Sequence, residues 1–144
     1  MKRIMLSIFS LLIMSNVLLA QTKQEPWNSQ QLLDPAILAK KINQNQTKNM
    51  LIYCIGPDAI IKGSINIGAG ENAANIKKLK EQLKNVSKDK EVVIYCGCCP
   101  FDRCPNVRPA FKALKEMGFK NAKLLNLSNN IKTNWIDKNY PMND

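Results

Sequence analysis

Four of the five cysteines in this chain fall in one run, Cys96-Gly97-Cys98-Cys99-Pro100-Phe101-Asp102-Arg103-Cys104. A small disulfide-stapled fold spreads its cysteines along the chain, whereas this spacing closes only one local loop, so the cluster reads as chemistry at sulfur. The thiolate is the reactive form of cysteine, and positive charge or a helix N-terminus beside it lowers the thiol pKa. Arg103 lies inside the run and Arg108 follows it. The chain contains no histidine, which excludes a Cys–His nucleophile pair. Activation falls to loop N–H groups, Gly97 among them, and to the two arginines. The same surroundings suit an anionic sulfur compound, so thiol-based sulfur transfer is the chemistry the pattern favours.

Positioning such a loop takes a rigid strand before it and a helix after it. Residues 91–96 form a short, β-branched, apolar run that places Cys96 at or just beyond a strand end. A helix over 109–117 follows and stops at Gly118, a left-handed terminator. Upstream, Asp34-Pro35 reads as a helix cap with proline in the first turn. Residues 50–55 read as a buried strand, 63–68 as a short strand between glycines, and 72–84 as an amphipathic helix. Residues 121–127 can form a last strand, and a turn of helix surrounds Trp135. Alternating short apolar strands and helices predict an α/β fold with a mostly parallel sheet covered on both faces, whose ligands bind at the carboxyl ends of the strands. Cys54, at the end of another strand, comes near the same edge, although its apolar flanks favour a buried, inert thiol.

The order Val92-Val93-Ile94-Tyr95-Cys96, loop, helix to Leu114-Lys115-Glu116-Met117-Gly118-Phe119, strand to Leu127, then Trp135 and Tyr140-Pro141 resembles the catalytic half of a rhodanese domain. Leu51-Ile52-Tyr53 and Gly63-Ser64-Ile65-Asn66-Ile67 resemble that family's first strand and its glycine-led segment, so the likeness spans about residues 32–142. It implies a five-stranded, mostly parallel sheet with helices on both faces. It also implies a cysteine that carries sulfur as a persulfide from a small anionic donor to a thiol or cyanide-like acceptor. The family's usual acidic residue at Tyr53, arginine near Ile55 and histidine at Ile60 or Ile61 are missing, and the loop is longer than usual. Cys96 has the family's position directly after the strand, while Cys98 to Arg103 has its cysteine-to-arginine spacing; the strand end is fixed by the fold, which favours Cys96 as nucleophile and keeps Cys98 as the rival. Arg103, with help from Arg108, is assigned to the anionic donor.

Other readings stand beside this one: the missing family residues give weight to a rhodanese fold used only as a non-catalytic recognition module, and the sulfurs themselves allow further alternatives. Cys99 and Cys104 suit a local disulfide in an oxidising compartment. Cys96 with Cys98, or Cys98 with Cys104, suits a thiol–disulfide redox pair. Four thiolates around a metal fit less well, because structural zinc sites take separated cysteine pairs and Cys98-Cys99 are adjacent. No metal and no cofactor is assigned.

Lys2 and Arg3 precede an apolar, acid-free run to Ala20, the pattern of a secretory signal cleaved before Gln21, which predicts a periplasmic or secreted protein with no stable membrane insertion after cleavage. With residues 1–20 removed, the basic count falls from 21 to 19 against 11 acidic residues, a charge of +8. That favours small anions, but the lysines are scattered without the aromatic interleaving of a nucleic-acid groove, so no nucleic acid is expected. Residues 21–31 read as a lead-in with Trp27 as a lid, and 32–144 as a single domain, expected to be monomeric.

Overall fold

The computed structural model describes residues 25–144. The signal segment expected from the sequence and the first residues of the lead-in lie outside the described residues.

Five strands form one sheet: β1 (Leu32–Leu33), β2 (Met50–Cys54), β3 (Ser64–Asn66), β4 (Glu91–Tyr95) and β5 (Ala122–Leu125). Their spatial order is β1-β5-β4-β2-β3, and every pairing is parallel. Three helices connect strands, α1 (Pro35–Asn43), α2 (Ala73–Leu83) and α3 (Val107–Glu116), and the short α4 (Ile131–Asn134) follows β5. The α/β architecture with a five-stranded sheet is thus as the sequence predicts, and the sheet is parallel throughout.

Local chemistry explains most boundaries. Asp34 Oδ1 accepts the Ala36 N–H at 2.7 Å, capping α1 behind Pro35. Asn72 does the same for α2 through the Ala74 N–H. Gly118, at φ 81°, ends α3 in the left-handed conformation that glycine adopts without Cβ strain. Alternate side chains of each strand enter opposite layers. Tyr53, Val92, Ile94 and Leu124 pack on one face with α2 and α3, through Leu79, Leu83, Phe111 and Leu114. Ile52, Cys54, Val93, Tyr95 and Leu125 pack on the other with Leu38 and Ile42 of α1 and with Trp135.

Three features differ from the sequence expectation. The helix after the cysteine loop starts at Val107, two residues before Pro109, which leaves Pro109 in the first turn where its missing N–H removes no hydrogen bond. Leu32–Leu33, too short to register as a strand in the sequence, pairs with Leu124 and Leu125 as the sheet edge. Residues 25–31 are held rather than loose: Asn28 and Gln31 cap one another around a 3-10 turn, and Trp27 sits 5.8 Å from the Phe111 ring and 6.1 Å from that of Phe101. No helix among the described residues is long and apolar enough to cross a membrane.

β2 leads outward to β3 and β4 leads outward to β5, so the chain departs in opposite directions from the central β2/β4 pair. The carboxyl ends of that pair are the switch point at which open parallel sheets bind ligands. Cys96 is the first residue beyond β4.

Candidate active site

Cys96 is almost wholly buried, at 3% exposure, and its side chain enters the α2/α3 layer. Its sulfur rests over Gly56, just beyond β2. A Cβ at Gly56 would stand 2.8 Å from Cys96 Sγ, so the glycine is what lets the sulfur settle between the two central strands. Gly97 is buried too: its carbonyl accepts the Ile131 N–H at 2.9 Å, and a Cβ there would lie 2.8 Å from the Ile131 side chain. The loop from Cys96 to Asn106 is further pinned by the Phe101 N–H, which donates to the Leu127 carbonyl at 3.1 Å.

Around Cys96 Sγ the loop arranges donors. Cys98 Sγ lies 3.2 Å away, and the Asn106 side-chain amide donates at 3.3 Å. Cys104 Sγ, the third sulfur of the cluster, lies within 4.8 Å of it. Hydrogen bonds to a charged group favour its charged form, and here they outweigh burial. The Cys104 thiol has the largest effect; burial opposes it, and the Cys98 N–H, Asn106 and the Cys98 thiol complete the set that lowers the Cys96 pKa to about 5. The neighbours move the other way. Partial burial of its sulfur, then the contact with Cys99 and the adjacent Cys96 thiolate, push Cys98 up to about 12, although its residue surface is exposed. Cys104 is buried and holds its proton strongly, first because it donates to Cys96 and then because it is desolvated. The result is one thiolate supported by two thiols.

Asn106 escaped the sequence reading. It is the buried polar residue that joins three parts of the site: Nδ2 donates to Cys96 Sγ, Oδ1 accepts the Glu71 N–H at 3.0 Å, and its carbonyl closes against Gly70, where a Cβ would come within 2.3 Å of the oxygen. Its side chain makes no cap hydrogen bond to the helix it precedes, so no local capping pattern marks its role.

The two arginines are placed differently from one another. Arg103 is exposed, and its backbone N–H closes a turn to the Pro100 carbonyl. Arg108, in the first turn of α3, pairs with Glu25 (Nε to Oε2 at 2.8 Å) and donates to the Cys104 and Asp102 carbonyls. Its guanidinium also stacks 5.6 Å from the Trp27 ring. It ties the lead-in to the loop, with its charge already partnered. A cleft of about 420 Å³ lined by Pro26, Arg108, Pro109 and Lys112 lies beside this clamp, and no cysteine lines it.

All five cysteines are free thiols. The Cys99–Cys104 disulfide entertained from the sequence is not among the bonds of this structure; Cys104 faces Cys96, and Cys99 Sγ touches Cys98 Sγ at 3.2 Å. Cys54 pairs in register with Tyr95, so it points to the sheet face opposite Cys96. Its sulfur donates to the Asp58 carbonyl at 3.1 Å, and burial raises its pKa, as befits an inert core thiol. Tyr95 is a packing residue: its buried hydroxyl accepts the Ile61 N–H at 3.2 Å and meets Ser64 Oγ at 2.9 Å.

Comparison with known proteins adds a family. The model of the rhodanese-like domain matches residues 57–130, which include the whole cysteine loop. Among solved structures, an NAD-dependent persulfide reductase from A. fulgidus is 22% identical with a TM-score of 0.36; the match covers 67% of this chain and 17% of that one. The reduced CoADR-RHD of Bacillus anthracis is 21% identical with a TM-score of 0.35, covering 65% of this chain and 15% of that one. The chain thus corresponds to about a sixth of the length of those proteins. No curated protein matches it.

Proposed function

Because this chain belongs to the rhodanese-like domain family, we propose that it is a sulfurtransferase, moving sulfane sulfur through a persulfide on Cys96. The Cys96 thiolate attacks the outer sulfur of an anionic donor such as thiosulfate. The S–S bond of the donor breaks, sulfite leaves with the bonding pair, and Cys96 carries the sulfur as a persulfide anion. A thiophilic acceptor, cyanide or a thiolate, then attacks that outer sulfur, and Cys96 departs as the thiolate it began as. No net proton or electron is consumed with cyanide as acceptor.

The observation that carries this reading is the gathering of the Cys98 and Cys104 sulfurs and the Asn106 amide around one sulfur just beyond the central strand; these neighbours lower the Cys96 pKa and raise those of Cys98 and Cys104. A persulfide anion needs the same donors. Arg103, exposed on the loop, is the cation assigned to the incoming oxyanion. In the same proposal the protein acts as a monomer in the periplasm or outside the cell, after cleavage at Ala20.

The test is thiocyanate formation from thiosulfate and cyanide. Cys96→Ser should abolish it and Cys98→Ser should retain it; full activity in the Cys96 variant refutes the assignment. A second reading, thiol–disulfide exchange, is favoured by the 3.2 Å separation of Cys96 and Cys98 Sγ. Intact mass after donor treatment separates the two, because a persulfide adds one sulfur atom and a disulfide removes two hydrogens.

A further inference from the structure

The loop sulfurs form a ligand set as well as a nucleophile, and we propose that Cys96, Cys98 and Cys104 bind one copper(I) ion in a three-coordinate thiolate site. Their Sγ atoms all lie within 4.8 Å of one another, so a single point lies within about 2.8 Å of all three, against roughly 2.3 Å for a zinc–thiolate bond. Cys96 and Cys98 Sγ are already 3.2 Å apart, so contraction onto an ion falls mainly to Cys104.

The sequence objection to a metal here was the adjacency of Cys98 and Cys99, which suits a four-thiolate zinc site poorly. The structure removes the objection by leaving Cys99 out. Its sulfur touches Cys98 but does not belong to the group of atoms that share the 4.8 Å limit. What remains is three sulfurs with no carboxylate in the group and no histidine anywhere in the chain. Zinc in a structural site takes four ligands, and this set is one short. Soft thiolates select copper(I), for which three sulfurs complete a trigonal shell.

The surroundings are those of a metal site. Cys96 and Cys104 are buried and form its floor, while Cys98 is exposed at the mouth and admits the ion. Asn106 donates to Cys96 Sγ at 3.3 Å, the type of outer contact that fixes a ligand's orientation. On binding, copper(I) takes a sulfur lone pair from each cysteine, and the thiol protons of Cys98 and Cys104 pass to solvent; the oxidation state of the metal does not change. The ion occupies the Cys96 lone pair that attacks sulfur donors, so copper and persulfide exclude one another. The copper site does not depend on the sulfur-transfer reading.

The test is an anaerobic titration of the full reduced chain with copper(I) against bicinchoninate, with X-ray absorption on the loaded protein. One copper per chain is expected, in a shell of three sulfurs without nitrogen or oxygen. Cys98→Ser and Cys104→Ser should each weaken binding by at least the roughly 10–100-fold that loss of an outer-shell partner costs. Cys54→Ser should leave affinity unchanged. Since Cys104 is buried, circular dichroism checks its variant, and the exposed Cys98 variant carries the test if Cys104→Ser fails to fold. Loss of all copper to the chelator, a shell containing nitrogen or oxygen, or a Cys98→Ser protein that binds as tightly as the parent overturns the proposal. Thiocyanate formation, measured separately without metal, stands or falls on its own.

Discussion

Replacing Cys104 by alanine removes the donor that does most to keep Cys96 ionised. A hydrogen bond to a charged partner contributes about 1.5–3 kcal/mol, and one pKa unit corresponds to about 1.4 kcal/mol. Cys104→Ala should therefore raise the Cys96 pKa by about 1–2 units, from about 5 to about 6–7. At pH 5.5 the thiolate fraction would drop from about three quarters to about one tenth for a shift of about 1.5 units. The rate of alkylation by iodoacetamide, followed across pH and assigned to Cys96 by peptide mass, reads this midpoint directly. Because nucleophilicity rises with thiol basicity, the alanine variant should react more slowly than the parent in acid and faster on its alkaline plateau, so the two profiles cross. Cys104→Ser keeps a hydroxyl donor and should recover at least half of the shift. A Cys104→Ala midpoint within about 0.3 unit of the parent would refute the reasoning, since the third sulfur would then have no part in ionising the first.

Four further outcomes follow from the same geometry. The folded pKa of Cys96 lies below its ordinary value of 9.0, so the stability it contributes is complete above about 9 and is lost as pH falls through about 5; urea midpoints should rise between those limits, and Cys96→Ser should flatten that rise. Cys98 and Cys104 are raised instead, so they withdraw stability as pH climbs above about 9, and the parent midpoint should decline there. Gly56→Ala forces a Cβ against Cys96 Sγ, and overpacking of that kind costs about 1–3 kcal/mol; thermal unfolding should show it, together with slower labelling of Cys96. Tyr95→Phe leaves the buried Ile61 N–H without its acceptor, a loss of about 1–3 kcal/mol in denaturant titration that should not move the Cys96 midpoint, because that hydroxyl lies on the other face of the sheet.

Elements with strong local signals were legible in the sequence. The alternation of β-branched strands with capped helices gave the parallel α/β sheet, and the strand ending at Tyr95 placed Cys96 at the switch point of the sheet. Asp34-Pro35 and Gly118 set helix limits because capping is a property of a few adjacent residues. What stayed hidden depends on pairing between distant segments. Leu32–Leu33 is a strand only because Leu124 and Leu125 lie alongside it. The partner of Arg108 is Glu25, at a separation along the chain that no local pattern encodes. The ranking of the sulfurs was likewise only half readable: strand position favoured Cys96, but its acidity comes from the way the loop folds Cys104 and Asn106 back onto it.

Two anchors of the cysteine loop come from residues made after it: the Leu127 carbonyl that receives the Phe101 N–H, and the Ile131 N–H that holds the Gly97 carbonyl. The cysteines therefore precede, along the chain, the parts that grip them. Until β5 has joined the sheet and α4 has docked, Cys96 lacks its ordered ring of donors and should behave as an ordinary thiol, largely protonated at neutral pH. The acidity of the site is thus acquired only once β5 and α4 are in place. A chain stopped before Leu127 should release thiols of ordinary acidity in place of a weakened active site.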